Sequence, residues 1–227
     1  MEEKYEGREI RTQSKLLAWL DNYWYHYKWH TIIIGFFLMV GIVCFVQCGT
    51  AEKYDVVVCF SGNAVFDEAT EHVGLEKVLS DICPFDADQN GVKKTIFTTI
   101  SVFNEDQLKS HFTYYDPALG EDYFDKEAMN QYLPRNTENA KNISSYVMTG
   151  DCAVWFVSPY VYETYFKDLI TESIKLSDTA LYKNFDAVKV MPEDTLVVLL
   201  RPVFGEYSKD EAYAQAEAYY RAIVGEQ

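Results

Sequence analysis

The densest chemistry in the chain is the run Asp86-Ala87-Asp88-Gln89-Asn90-Gly91. Side-chain oxygens at Asp86, Asp88 and Asn90 alternate along the backbone, and Gly91 permits a sharp bend, which is the opening half of a calcium-binding loop. A complete loop of that kind ends on a bidentate glutamate at its twelfth position, where this chain has Phe97, and Lys93 and Lys94 oppose a cation. The same residues suit a polar hairpin turn, because Asn-Gly favours left-handed backbone conformations. The turn is the favoured reading, and a weak cation site on Asp86, Asp88 and Asn90 is the other.

Elsewhere the reactive side chains are scattered. There is no Gly-x-Ser-x-Gly, no His-Glu-x-x-His, no phosphate-cradling glycine loop and no Cys-x-x-Cys. His72 and His111 each fall in a helix-like segment with no recognisable catalytic neighbour. His26 and His30 lie four residues apart on one helix without a third ligand, which suits headgroup contact better than metal. Cys59, Cys83 and Cys152 are too few for a disulfide framework, and Cys59 and Cys152 sit in apolar strand-like runs as core residues. Asn142-Ile143-Ser144 matches a glycosylation acceptor, relevant only in a eukaryotic source. The expectation is a non-catalytic chain with no cofactor.

The element that places all of these is the stretch Thr31 to Cys48, TIIIGFFLMVGIVCFVQC, 18 residues without a charged residue or histidine. As a helix it measures about 27 Å, close to the hydrocarbon thickness of a bilayer. A core helix of this length would show a polar edge, so a transmembrane span over 31–48 is expected. Before it, Leu16, Leu20, Tyr23 and Tyr27 form one face of a helix capped at Ser14, and Trp24, Tyr25, Tyr27 and Trp29 gather at the membrane entrance, where amphipathic rings prefer to sit. Arg11, Lys15 and Lys28 precede the span and only Lys53 follows closely, so the arm (1–30) is expected in the cytoplasm and the rest outside. Gly49-Thr50-Ala51 is a poor cleavage site behind so long an arm. Val43 and Gln47 before Cys44 and Cys48 exclude a lipoprotein site, so an uncleaved anchor is expected.

The arm balances five basic against five acidic residues, so the net charge of −15 falls beyond the span. Such acidity excludes nucleic acid and anionic lipid surfaces as partners of that region. Residues 54–227 read as one α/β domain. Tyr54–Phe60, Lys94–Phe103, Asp151–Val157 and Thr195–Val203 are strand-like, and the apolar faces of the first and third point to a mostly parallel sheet buried on both sides. Helices are expected after Asp67, over 136–149, from Ser158-Pro159, and behind a Ser208-x-x-Glu211 capping box as far as Gly225. The acidic, tyrosine-rich segment 104–135 and the segment 170–192 read as excursions. A sheet buried on both sides requires helices over each, giving three layers, with 67–82 and 208–224 as the covers.

The aromatic run Leu20 to Thr31 followed by an apolar span resembles uncharacterised single-span membrane proteins of clostridial Gram-positive bacteria, a likeness that brings no activity with it. Met148-Thr149-Gly150-Asp151 leading into an apolar strand, and the late strand Thr195–Leu200 with Arg201, are similar to one lobe of extracellular solute-binding proteins. That resemblance implies a site at the strand ends of an open α/β sheet, at Ser61, Gly62, Asn63, Ser158 and Tyr160. The expected function is a membrane-anchored extracytoplasmic domain that binds a small ligand or docks an envelope partner. A cell-surface enzyme using His72 or His111, and a structural subunit of an envelope complex, are the other readings.

Overall fold

The computed structural model describes residues 15–50, 54–87, 89–170 and 173–225, and divides into two compact units, 1–52 and 53–227. The expected cap Ser14 lies outside the described residues.

In the first unit, helix α1 runs unbroken from Lys15 to Thr50. Within it Asn22–Val46 is long and apolar enough to cross a membrane, and none of that stretch is buried. Its aliphatic and aromatic side chains are exposed, Ile34, Phe37, Met39 and Phe45 among them. In the N-terminal half, Trp19, Tyr23 and Tyr27 stack at 5.7 and 5.4 Å between ring centres. Thr31 Oγ1 donates to the Tyr27 carbonyl at 3.1 Å and meets Tyr23 Oη at 3.0 Å, which satisfies the polar atoms where the apolar run begins. Trp24, Tyr25, Tyr27 and Trp29 are all exposed on this helix.

The second unit is α/β. In chain order it comprises β1 (Val56–Gly62), α2 (Val73–Asp81), β2 (Thr95–Ser101), α3 (Glu105–His111), β3 (Thr113–Asp116), β4 (Glu121–Phe124), α4 (Lys126–Thr149), β5 (Val154–Val157), α5 (Pro159–Val161), β6 (Ser173–Lys175), α6 (Ala180–Asn184), β7 (Leu196–Leu199) and α7 (Asp210–Val224). Five strands form the central sheet in the order β2-β1-β5-β7-β6. β1 is parallel to β2 and β5, and β7 runs antiparallel to β5 and β6, so the sheet is mostly parallel. β5 sits at the centre, and all four of its residues are buried.

Alternate residues of the strands enter two different core clusters, as the period of two requires. Val56, Val58, Phe60, Val154 and Phe156 pack with Leu75 and Leu79 of α2, Leu181 of α6, and Ala216, Tyr219 and Ile223 of α7. Cys59, Trp155, Val157 and Val198 pack with Ile143 of α4, Val161 of α5, Phe166 and Ile170. The two amphipathic stretches expected on opposite faces, 67–82 and 208–224, therefore share one cluster. The Tyr219 hydroxyl ties them together by donating to the Leu79 carbonyl at 2.8 Å. Apolar periodicity marks a helix face but carries no information about which side of a sheet it meets.

Other elements depart from their expected limits. α4 begins ten residues before Asn136 and passes through Pro134, which is exposed. Asp125 caps it by accepting from the Ala128 amide at 2.9 Å. Farther along, Asn136 exchanges two 2.9 Å hydrogen bonds with the Phe103 backbone, and Asn139 donates to the Ser101 carbonyl at 2.8 Å. These bonds pin the helix to the exit of β2 just beyond Pro134, a residue that cannot donate to the helix. The excursion 104–135 contains α3, capped by reciprocal Asn104–Gln107 bonds, the β3–β4 hairpin and the start of α4. Segment 170–192 contains β6 and α6. The expected box at Ser208 is not formed: Lys209 occupies the cap, and Ser208 Oγ donates to the Gly205 carbonyl at 2.7 Å. The helix does end at Gly225, with φ +93°.

Candidate functional site

The strand-end residues Ser61, Gly62 and Ser158 do come together at the carboxyl ends of β1 and β5. Ser61 and Ser158 are buried, and Ser61 Oγ donates to the Ile100 carbonyl at 3.2 Å. Ser158 donates its amide to the Ser61 carbonyl at 2.9 Å, and its hydroxyl caps α5 by accepting from the Val161 amide at 3.4 Å. A Cβ on Gly62 would lie 2.9 Å from Ser158 Cβ. Their own atoms fill the space, and their polar groups already have partners. Asn63 and Tyr160 are half-buried beside them.

The concavity lies one strand over. A cleft of about 590 Å³ opens at the carboxyl end of β2 beside the exit of β1. Thr99 and Ser101 of β2 form its floor. Val65, Phe66, Glu68 and His72, from the loop and wide helical turn leading to α2, form one wall, and His111 of α3 with Tyr132, Arg135 and Asn139 of α4 form the other. The helix that follows β1 packs into one core cluster, while α4, reached from β2 by way of α3 and the β3–β4 hairpin, packs into the other. Connections leaving neighbouring parallel strands toward opposite faces part at their carboxyl ends, and this is where open α/β sheets hold ligands.

The groups in the cleft are held by their neighbours. The wide turn Glu68–His72 starts at Asp67, whose carboxylate accepts from the Thr70 hydroxyl at 2.6 Å and the Thr70 amide at 2.9 Å. Those bonds hold the Asp67 carboxyl below its ordinary range. The His72 ring lies 5.4 Å from that of Phe97. His111 sits 4.9 Å from Phe103 and 6.4 Å from Tyr132. Partial burial pushes the Tyr132 phenol up, and the neighbouring Arg135 charge opposes that shift. Arg135 is exposed in the cleft and has no carboxylate in ion-pair range among the described residues. The sequence marks His72 and His111 singly. Nothing in their spacing shows that they share a cleft, and Arg135, Thr99 and Ser101 carry no signal because they join only through the packing of α4 on β2.

In the Asp86 loop, Asp86 accepts from the Asn90 amide at 3.2 Å and the Gly91 amide at 2.7 Å, and Asn90 Oδ1 accepts from the Val92 amide at 2.7 Å. Gln89 and Gly91 have φ of +56° and +84°. Asp55 clamps the loop from outside, accepting from the Ala87 amide at 2.6 Å and the Lys94 amide at 2.7 Å. Asp88 lies outside the described residues. Among the described residues, no three His, Cys, Asp or Glu side chains converge to hold a metal ion. A second recess of about 390 Å³ lies at the opposite ends of β1 and β2, lined by Tyr54, Asp55, Asp151, Glu206 and Tyr207 among others. Cys59, Cys83 and Cys152 are buried as free thiols, and burial pushes all three up, away from nucleophilic use. Compared with protein-family models, curated proteins and solved structures, the chain finds no match.

Proposed function

We propose that the protein is a single-span membrane protein whose C-terminal region is a non-catalytic, extracytoplasmic binding domain. The domain is built in three layers, with α2, α6 and α7 on one side of the sheet and α4 and α5 on the other. The 590 Å³ cleft carries this reading: its size suits a small ligand, and its lining converges polar groups from four segments at a strand-end position. The exposed apolar window of α1 supports anchoring, with the aromatic run Trp24 to Trp29 at the bilayer surface.

The test is a melting-shift screen of the full chain in detergent against small polar metabolites. A stabilising compound is expected, and its effect should vanish in Thr99→Trp, which fills the cleft floor. A compound that still stabilises Thr99→Trp as strongly as wild type would place the site elsewhere. A second reading, a subunit docked in an envelope complex, is favoured by the exposed apolar group Met148, Leu169, Val203 and Phe204. Cross-linking in intact cells from a cysteine placed at Val203 would report it.

A further inference from the structure

We propose that the cleft takes a small carboxylate carrying hydrogen-bond donors at its far end, with Arg135 clamping the carboxylate. This rests on the cleft being the ligand site. The domain beyond the span holds the whole excess of acidic over basic residues, −15. Both other described arginines pair with a carboxylate: Arg201 with Asp210, and Arg221 with Glu217 at 2.6 Å. Arg135 is the one described arginine without such a partner, and it stands in the 590 Å³ cleft.

The facing wall carries a charge of the opposite sign. Glu68, exposed in the same cleft, has no cationic partner among the described residues and is not paired with Arg135. Two opposite charges thus line one recess without neutralising each other or being neutralised by the chain. A ligand that bridges them needs an anionic group at one end and a donor at the other. The guanidinium fork presents two parallel N–H groups that match a carboxylate bidentately. The Glu68 carboxylate accepts from a hydroxyl or ammonium group and repels a second negative charge. Thr99 and Tyr132, which also line the cleft, offer hydroxyls. A neutral polyol leaves Arg135 unmatched, and inorganic phosphate brings a second charge toward Glu68.

The probes are gluconate, L-serine, inorganic phosphate and sorbitol, titrated calorimetrically into the full chain in nanodiscs at up to about 10 mM. Gluconate or serine is expected to bind, and sorbitol and phosphate are not. Arg135→Gln should weaken the carboxylate at least about tenfold, with Arg135→Lys intermediate because it keeps the charge but loses the fork. Glu68→Gln should relieve the exclusion of phosphate. Arg135 and Glu68 are both exposed, so these variants fold. Carboxylate binding unchanged in Arg135→Gln, or sorbitol binding as well as gluconate, overturns the ligand class. So does failure of both carboxylates to bind. If another compound binds and Thr99→Trp abolishes that binding, the cleft survives as the site while the carboxylate assignment fails. Gluconate binding that persists in Thr99→Trp overturns both.

Discussion

Cys152 Sγ lies 3.2 Å from the Val57 carbonyl and 3.0 Å from the Val154 carbonyl, sealed between β1 and β5. Cys59, Tyr207 and Tyr219 are buried likewise, and in all four the loss of water pushes the acidic group up. Each is neutral when protonated, so the folded state holds its proton to higher pH than the unfolded chain, where thiols and phenols ionise near about 8.5 and about 10. This contribution to stability is whole below those values and falls as pH rises through them toward the folded pKa. Melting temperature followed by circular dichroism should hold steady near neutrality and drop progressively above about pH 9. Tyr219→Phe removes the bond to Leu79 and should cost about 1 kcal/mol at neutral pH, yet flatten the alkaline decline. Identical slopes for the variant and wild type would refute the assignment. In the Asp86 loop, the oxygens of Asp86 and Asn90 already accept backbone amides, so calorimetry should show no calcium site tighter than about 10⁻⁴ M. A micromolar site would mean that the turn opens to bind.

β5 is the element on which the domain depends. Its neighbours are β1 on one side and β7 on the other, and its alternate residues belong to separate cores. Val154→Asp would bury an unpaired carboxylate against Val58, a cost of several kcal/mol where net stability is about 5–15 kcal/mol. The variant should not fold, and a circular dichroism melt within a few degrees of wild type would sink the central-strand assignment. Ser158, one residue past the strand, looks tolerant from sequence. It is buried against Gly62, so Ser158→Asp should also destabilise, by about 2 kcal/mol or more.

At the scale of the whole molecule, the proposal of an anchored, outward-facing domain predicts a protease pattern. Protease added to intact spheroplasts should digest residues 54–227 and spare an epitope placed in the arm, while the protein stays in the membrane fraction. Protection of the domain would reverse the topology, and recovery of the domain from the medium would show that the span is cleaved.

The apolar window of α1 and the alternation of strand and helix are legible in sequence because each rests on local rules, a length of uninterrupted apolar residues and a period of two or 3.6. So are the stops at Gly150 and Gly225, where φ is +68° and +93° and a side chain would strain the backbone. The hydrogen bonds of Asn136 and Asn139 that pin α4 just beyond Pro134 are long-range and leave no periodic trace. The cleft divides the same way. It lies at the strand ends, where an open α/β sheet leads one to look, but it is lined by other residues than Ser61 and Ser158, the hydroxyls that directly follow apolar strands. Only the packed structure decided that β1 and β5 close on each other at Gly62 while β1 and β2 part. Which connection crosses which face of the sheet is set by the pairing of distant strands. That pairing brought His72, His111 and Arg135, from three separate segments, to one cleft.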